Sequence, residues 1–127
     1  MIINKSIDIE DEIRQALTGY VTAYARPLPA NYALPNILVT QVGGRTDQTI
    51  DTFTVSLQSR ARSSADALSY LNTTIGVLKQ IAREQTCAIR HVVAENPGSW
   101  GTDPVRPDLA MCSALLSVVA HQTTTEV

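Results

Sequence analysis

The sequence lacks the features that mark several large classes of protein. No apolar run approaches the ~18 residues that cross a bilayer, and Met1–Lys5 has neither the charged start nor the apolar run of a signal peptide. The formal net charge is −2, whereas general nucleic-acid and membrane-surface binders usually carry a basic excess. We therefore expect a protein that is located in a cytoplasm and has no membrane partner.

Cysteine and histidine are scarce, and their spacing matches no common metal site. The chain has two cysteines, Cys87 and Cys112, and two histidines, His91 and His121. No Cys-x-x-Cys pair is present, and the four positions fit no usual zinc pattern. We interpret the cysteines as small buried side chains and expect no metal site.

Motifs for catalysis and phosphate binding are also missing. Gly98–Gly101 does not have the Gly-x-Ser-x-Gly spacing of a nucleophile elbow. Gly43–Gly44 lacks the spacing of a phosphate-binding loop and lies between two predicted strands, so no helix N-terminus faces an anion. His91 and Cys112 would come close only if the last two strands placed them together, and two ordinary sheet residues are the preferred interpretation. We expect no enzyme and no cofactor.

What the sequence does contain is a strand, a long helix and a second strand between Thr49 and Glu95. Apolar and hydroxyl residues alternate through Thr49–Arg60, which is typical of a half-buried strand. From Ser63 or Ser64 to about Gln85 the apolar period becomes helical. Cys87–Ala94 then reads as a strand, so we predict a βαβ unit with two parallel strands. The predicted buried helix face is Leu68, Leu71, Ile75, Leu78 and Ala82.

Before this unit the sequence predicts one helix, a stiff connector and a hairpin. Ser6 or Asp8 can cap a helix that ends near Arg26, and the acidic residues of its first turn complement the helix dipole. Prolines stiffen the connector from Arg26 to Pro35. A short strand, Ile37–Val42, then leads into a predicted hairpin loop at Gly43–Gln48.

After this unit the sequence predicts a long loop and a final strand. Glu95–Pro107 contains three prolines, two glycines and the single tryptophan, Trp100, and is typical of an irregular surface segment. Leu109–His121 is apolar or small on both sides, which suits a strand covered on both faces or covered by a neighbouring subunit. Thr123–Val127 reads as a mobile polar tail.

These elements predict one α+β domain over residues 1–127. The expected order is α-β-β-α-β-β, with a mixed four-stranded sheet and both helices packed on one face. Residues 1–7 and 122–127 are expected to be flexible ends.

The order and residue classes of these elements resemble a known family, the tail terminator proteins of long-tailed bacteriophages, also called minor tail or neck proteins. The resemblance spans roughly residues 9–120. It consists of the helix with its proline-bearing connector, the Gly43–Gly44 segment, the strand Phe53–Arg60, the alanine-rich helix from Ser63 and the segment Thr102–Pro107 before the last strand.

The resemblance implies a structural role in the virion. Terminators form a ring, usually a hexamer, that caps the tail tube and ends its polymerisation. The ring then provides the docking surface for the head-tail connector or stopper protein, and genome DNA passes through its lumen without sequence-specific binding. The resemblance thus implies no reaction and no cofactor. It places the protein at the head-tail junction of the virion, and in the host cytoplasm during assembly.

The family has no short motif that transfers residue by residue, so candidate interface residues are chosen on physical grounds. Ring closure needs two different surfaces of each subunit, and unpaired strand edges and exposed loops are natural contributors. Deleting Gly98–Arg106 is expected to leave the fold intact but to impair joining. A head-completion or connector neck protein and a small-ligand-binding α+β module are alternatives. The candidates are Gly43, Gly44, Arg45, Asp47, Arg60, Arg62, Trp100, Asp103 and Arg106.

Overall fold

The computed structural model describes residues 1–127, except for the side chain of Pro97. The chain forms one small α+β domain with two helices and a mixed sheet, as predicted. The helices are α1 (Ile9–Leu17) and α2 (Ser64–Glu84). The strands are β1 (Ile2–Lys5), β2 (Ala23–Ala25), β3 (Asn36–Thr46), β4 (Ile50–Ala61), β5 (Ile89–Thr102), β6 (Ala110–His121) and β7 (Thr123–Glu126).

The main sheet has five strands in the order β2-β3-β4-β6-β5, rather than the four that were predicted. Strand β2 pairs with β3 in parallel, and the other neighbours are antiparallel. Strands β1 and β7 form a separate two-stranded ribbon, with Ile2 opposite Glu126 and Lys5 opposite Thr123. The ends of the chain therefore pair with each other where the sequence predicted flexible segments.

Strand β4 and helix α2 form where the change of hydrophobic period predicted them. Ser63 caps the helix, its hydroxyl accepting a hydrogen bond of 3.2 Å from the Asp66 N–H. Four of the five residues of the predicted helix face are buried; Leu68 is exposed. The helix ends at Gln85, whose left-handed backbone stops the repeat.

The two strands of the predicted crossover are parallel, as predicted, but they are not neighbours in the sheet. Strands β4 and β5 are both antiparallel to β6, so they run parallel to each other. Strand β6 lies between them and pairs with both. The unit is thus a split βαβ. A third strand, β6, which follows both parallel strands in the chain, lies between them in the sheet.

Helix α1 ends at Leu17, well before the predicted limit at Arg26. Gly19 has a φ of +90°, a conformation that glycine adopts without steric cost. The N–H groups of Tyr20 and Val21 both donate to the Leu17 carbonyl, at 3.0 and 3.2 Å, which satisfies one of the last carbonyls of the helix. Tyr20, Val21 and Tyr24 therefore do not lie on a helix face, and Tyr24 belongs to β2.

Strand β3 continues through the glycines that were predicted to form a hairpin loop. Gly43 pairs with Thr54 and Gly44 with Phe53, after a bulge between Gln41 and Gly43. The turn itself is short, with the Asp47 N–H donating to the Ile50 carbonyl at 3.0 Å. The glycines are consequently part of the sheet.

Strand β5 likewise extends through most of the segment predicted to be irregular. It pairs with β6 as far as Thr102, with register shifts between Ala94 and Asn96 and between Asn96 and Ser99. Proline is tolerated in an edge strand because its missing N–H costs no ladder bond there, and Pro97 lies in such a strand. The irregular loop is restricted to residues 103–109.

Alternation along the strands gives the sheet two different faces. The core face packs against both helices in one apolar cluster. The alternate residues of each strand form the outer face, and in β4 and β6 these residues are half-buried. The core face includes Val39, Phe53, Val55, Leu57, Cys112, Ala114, Leu116 and Val118. The outer face of β4 and β6 includes Thr52, Thr54, Ser56, Gln58, Ser113, Leu115, Ser117 and Val119.

Candidate interface surfaces

Two of the predicted interface residues, Arg60 and Asp103, form a buried ion pair. The Arg60 Nε lies 2.6 Å from the Asp103 Oδ2, and the residues are only 7% and 4% exposed. Asp103 also accepts hydrogen bonds from the N–H groups of Val105 and Arg106 at 2.9 and 3.1 Å. The pair therefore fastens the loop 103–109 to the outer face of β4. The expectation that these two residues lie on an exposed interface is wrong.

Burial and pairing act on the Asp103 carboxyl in opposite directions. Burial by itself raises its pKa, but hydrogen bonds from the Arg60 guanidinium and from two backbone N–H groups outweigh that effect, and the net pKa is lowered. The charged form is thus favoured in the folded state. Beside this pair, Asn36 lies directly opposite Arg60 in the strand register.

Gly43, Gly44, Arg45 and Asp47 lie at the end of the β3–β4 hairpin. All four residues are exposed. The two glycines differ in how much space the backbone leaves for a side chain. Gly44 has a φ of +146°, and a Cβ there would lie 2.6 Å from the Thr52 carbonyl oxygen. A Cβ on Gly43 would make only ordinary contact, 3.7 Å from the Thr54 Cβ. The sheet therefore requires glycine at position 44 and accepts a side chain at position 43.

Trp100 lies on β5, opposite Cys112, and is 52% exposed. It was predicted to lie in a loop; it belongs instead to the edge strand of the sheet. Gly98 lies near the exposed Leu68 of α2, since a Cβ at position 98 would be 3.9 Å from the Leu68 Cδ1. This end of β5 and the first half of α2 thus meet at the surface.

Arg62 and Arg106 are exposed and lie apart from the β3–β4 hairpin end. Arg106 makes a surface ion pair with Asp108 at 3.0 Å, and such pairs contribute little to stability. Arg62 lines an open groove of about 260 Å³ between the connector and α2. The groove is lined by Leu34, Pro35, Ala61, Arg62, Asp66, Ser69, Tyr70 and Thr73.

Glu10 has a structural role that the sequence interpretation missed. It was explained by the electrostatics of the helix start, but its Oε2 lies 2.6 Å from the Arg26 Nη2 and accepts a bond of 2.9 Å from the Gln41 N–H. The hydrogen bond from Arg26 is the main cause of its lowered pKa. Glu10 therefore links α1, the end of β2 and β3. Its place next to the buried Ile9 was the only sequence signal.

The histidines and cysteines are not brought together. His91 lies opposite Val119, whereas Cys112 lies opposite Trp100, so seven residues of β6 separate the two levels. Seven residues of strand span about 23 Å. Burial raises the pKa of the Cys112 thiol, which is the behaviour of an inert buried cysteine. In the part of the chain that the structure describes, no group of three or more metal-ligating side chains is found.

Deleting Gly98–Arg106 would do more than remove a loop. The deletion would take away the last part of β5 and the Asp103 carboxylate that pairs with Arg60. We therefore expect such a variant to lose part of the fold, in contrast to the expectation from the sequence. Substitutions at single exposed residues are the appropriate tests.

Among the described residues, no helix is both long enough and apolar enough to cross a membrane. No protein-family model and no curated protein sequence matches the chain.

Proposed function

We propose that this protein is a structural subunit of a bacteriophage tail, a tail terminator that assembles into a ring on the end of the tail tube. The ring would end tube polymerisation and provide the docking surface for the head connector. The proposal depends on the resemblance of the element order to that family. The observation that carries it furthest is the outer face of the sheet.

The outer face has the composition expected of a surface inside an assembly. In the two central strands it consists of hydroxyl, amide and aliphatic side chains without formal charge, from Thr52 to Gln58 on β4 and from Ser113 to Val119 on β6. Both helices pack against the other face. An uncharged stretch of sheet that neither helix covers is suited to contact with other subunits or with a lumen.

The scarcity of cations on the outer face of the two central strands also fits passage of a genome. Retention of DNA depends on lysine and arginine contacts to phosphates, and affinity increases steeply with their number. Arg60, the cation that projects from β4 on this side, is neutralised by Asp103. A lumen lined by Thr54, Ser56 and Ser117 would therefore let DNA pass without holding it.

The genetic test is inactivation of the gene for this chain in a phage that encodes it. A terminator predicts tails of excessive and variable length that do not join heads, measured by negative-stain microscopy. Complementation with the wild-type chain should restore tails of uniform length. Normal tail length in the absence of the chain would contradict the proposal.

The same experiment separates a head-completion protein from a terminator. Loss of a head-completion or connector protein would leave tails of normal length beside heads that fail to join. A small-ligand-binding module is favoured only by the groove between Pro35 and Tyr70. If that alternative holds, inactivation of the gene will change neither tail length nor joining.

A further inference from the structure

The five-stranded sheet ends in two free strand segments on opposite sides. Strand β5 forms one edge, and its outward side pairs with no strand among the described residues. On the other side β2 covers only Ile37–Val39 of β3, and the Glu10 carboxylate accepts from the Gln41 N–H. Residues 42–46 of β3 are thus left without a strand partner on that side in the described structure.

These two segments lie at the same level of the sheet. The pairing gives one row through Gly43, Thr54, Ser117 and Val93. The next rows join Gly44 to Val92 and Arg45 to His91 in the same way. A line of residues perpendicular to the strands therefore begins at one free segment and ends at the other.

Both segments expose an aliphatic side chain that the fold does not use. Val42, the extra residue of the β3 bulge, is 56% exposed, and Val93 of β5 is 42% exposed. Unpaired edges that carry apolar residues usually pair with another strand or are blocked by charge.

We propose that Ile89–Val93 of one copy pairs with Val42–Thr46 of the next copy, so that the five-stranded sheets join edge to edge. The partner is a second copy of this chain, and the inference rests on the proposed function for the ring in which the copies assemble. Rotation about an axis along the strands preserves strand direction. Since β5 is antiparallel to β3 within one chain, the joint between copies is antiparallel.

The equal level of the two segments favours a closed ring over a filament. A head-to-tail contact between different surfaces closes only if successive copies do not rise along the axis. Rows that begin and end at the same level require no such rise. Pairing is restricted to the first half of β5, because Pro97 has no N–H to donate beyond it.

The joint can be tested by blocking each edge with lysine, a residue that natural edges use against pairing. Val42→Lys blocks one edge and Val93→Lys the other, and Val105→Lys is the matched control at an exposed valine in the loop 103–109. We expect each edge variant to reduce oligomer formation at least about tenfold in native mass measurements. The control should assemble as the wild type does.

Mixing the two edge variants distinguishes a head-to-tail joint from a symmetric one. Each variant keeps one intact edge, so an equimolar mixture should form a dimer that cannot grow further. A symmetric interface uses the same edge of both copies, so the variant that keeps that edge would dimerise alone and mixing would add nothing. Failure of the mixture to form dimers above the level of either variant alone would overturn the proposal.

A disulfide tests the register directly. Gly43→Cys and Val93→Cys, combined with Cys87→Ser, place two thiols on one row, and position 43 accepts a side chain. Three strand spacings of about 4.8 Å separate them within one chain, too far for a disulfide. We expect a ladder of covalent oligomers on oxidation. The control pair, Gly43→Cys with Ser99→Cys in the same Cys87→Ser background, lies at different levels, since Ser99 is opposite Ser113, and should remain monomeric on denaturing gels.

The outcomes are separable from those of the genetic test. Equal crosslinking by both cysteine pairs, or monomers from both at every concentration, would overturn the edge joint. If the crosslinked ladder forms and closes while tails lacking the chain keep normal length, the joint stands and the terminator function fails. If tails lose length control but the ladder does not form, the function stands and the joint fails.

Discussion

The two faces of the same sheet obey different constraints. On the core face, Leu57 and Leu116 are fully buried against the helices. On the outer face, neighbouring residues such as Ser56 and Leu115 are only half-buried, because the chain places no helix over them. Substitutions on the core face are therefore expected to change the free energy of unfolding. The outer face and its edges are where assembly can act without cost to the fold.

One outer-face residue breaks this division. Arg60 projects from the same side of β4 as Ser56 and Gln58, but the loop 103–109 buries it against Asp103. At this end of the sheet the chain covers its own outer face. At the other end, where Gly44 and Val92 share a row, the edges stay free. We call the end of the sheet at Arg60 and Asp103 the closed end, and the end at Gly44 and Val92 the open end.

The largest expected effect comes from breaking the buried ion pair. Arg60→Met would leave the Asp103 carboxylate buried without its charged partner, and we expect a loss of about 3–5 kcal/mol in the free energy of unfolding. Urea denaturation followed by circular dichroism measures it. Arg106→Met removes only an exposed pair and should leave the unfolding midpoint nearly unchanged. Equal midpoints for both variants would contradict the assignment of the closed end.

Two neighbouring leucines provide the sharpest comparison of the faces. Leu116 is fully buried, and Leu115 is half-buried on the opposite side of β6. We expect Leu116→Ala to cost about 2–5 kcal/mol in unfolding free energy through the cavity that it leaves. Leu115→Ala should cost less than about 1 kcal/mol. A similar loss at both positions would mean that the outer face is also a folding surface.

The two adjacent glycines test the open end in the same way. Gly44→Ala forces a Cβ against the Thr52 carbonyl at a positive φ, and we expect it to lower the unfolding free energy by about 1–3 kcal/mol. Gly43→Ala meets only ordinary contacts and should change that energy by less than about 0.5 kcal/mol. Thermal denaturation of the pair measures both. Equal destabilisation by the two substitutions would contradict the conclusion that the strand requires glycine at position 44 but not at position 43.

The smallest expected effect is the acid sensitivity of the closed end. Because the folded-state pKa of Asp103 is lowered, its contribution to stability is complete above the ordinary aspartate pKa of 3.8 and disappears as pH falls through the folded-state pKa. The difference in unfolding free energy between the wild type and Asp103→Asn should therefore shrink between about pH 7 and about pH 3. A difference that grows with acid would contradict the lowered pKa.

Elements set by local patterns were predictable from the sequence. The alternation through Phe53, Val55 and Leu57 predicted β4, and the helical period from Leu68 to Ala82 predicted α2. The β-branched run at the end of Leu109–His121 favoured a strand over a helix, and β6 is a strand. In each case the local propensity and the tertiary environment agree.

The errors fall where pairing with a distant strand overrides a local signal. Gly43 and Gly44 read as a loop but pair with β4, and Gly98 reads as a turn but lies in β5. Thr123–Glu126 reads as a tail but pairs with β1, a contact that no local pattern reveals. The closeness of Arg60 and Asp103, 43 residues apart, is equally non-local. The sequence alone therefore could not show that Arg60 and Asp103 are buried whereas Arg45 and Trp100 are exposed.

The insertion of β6 between β4 and β5 also sets the order in which the domain can be completed during synthesis. Strand β6 is made after every other strand of the five-stranded sheet. Until His121 has been translated, β5 has no neighbour, and the core faces of β4 and α2 lack the apolar residues of β6 that cover them. Nascent chains that stop before residue 110 should therefore expose apolar surface and engage chaperones or aggregate.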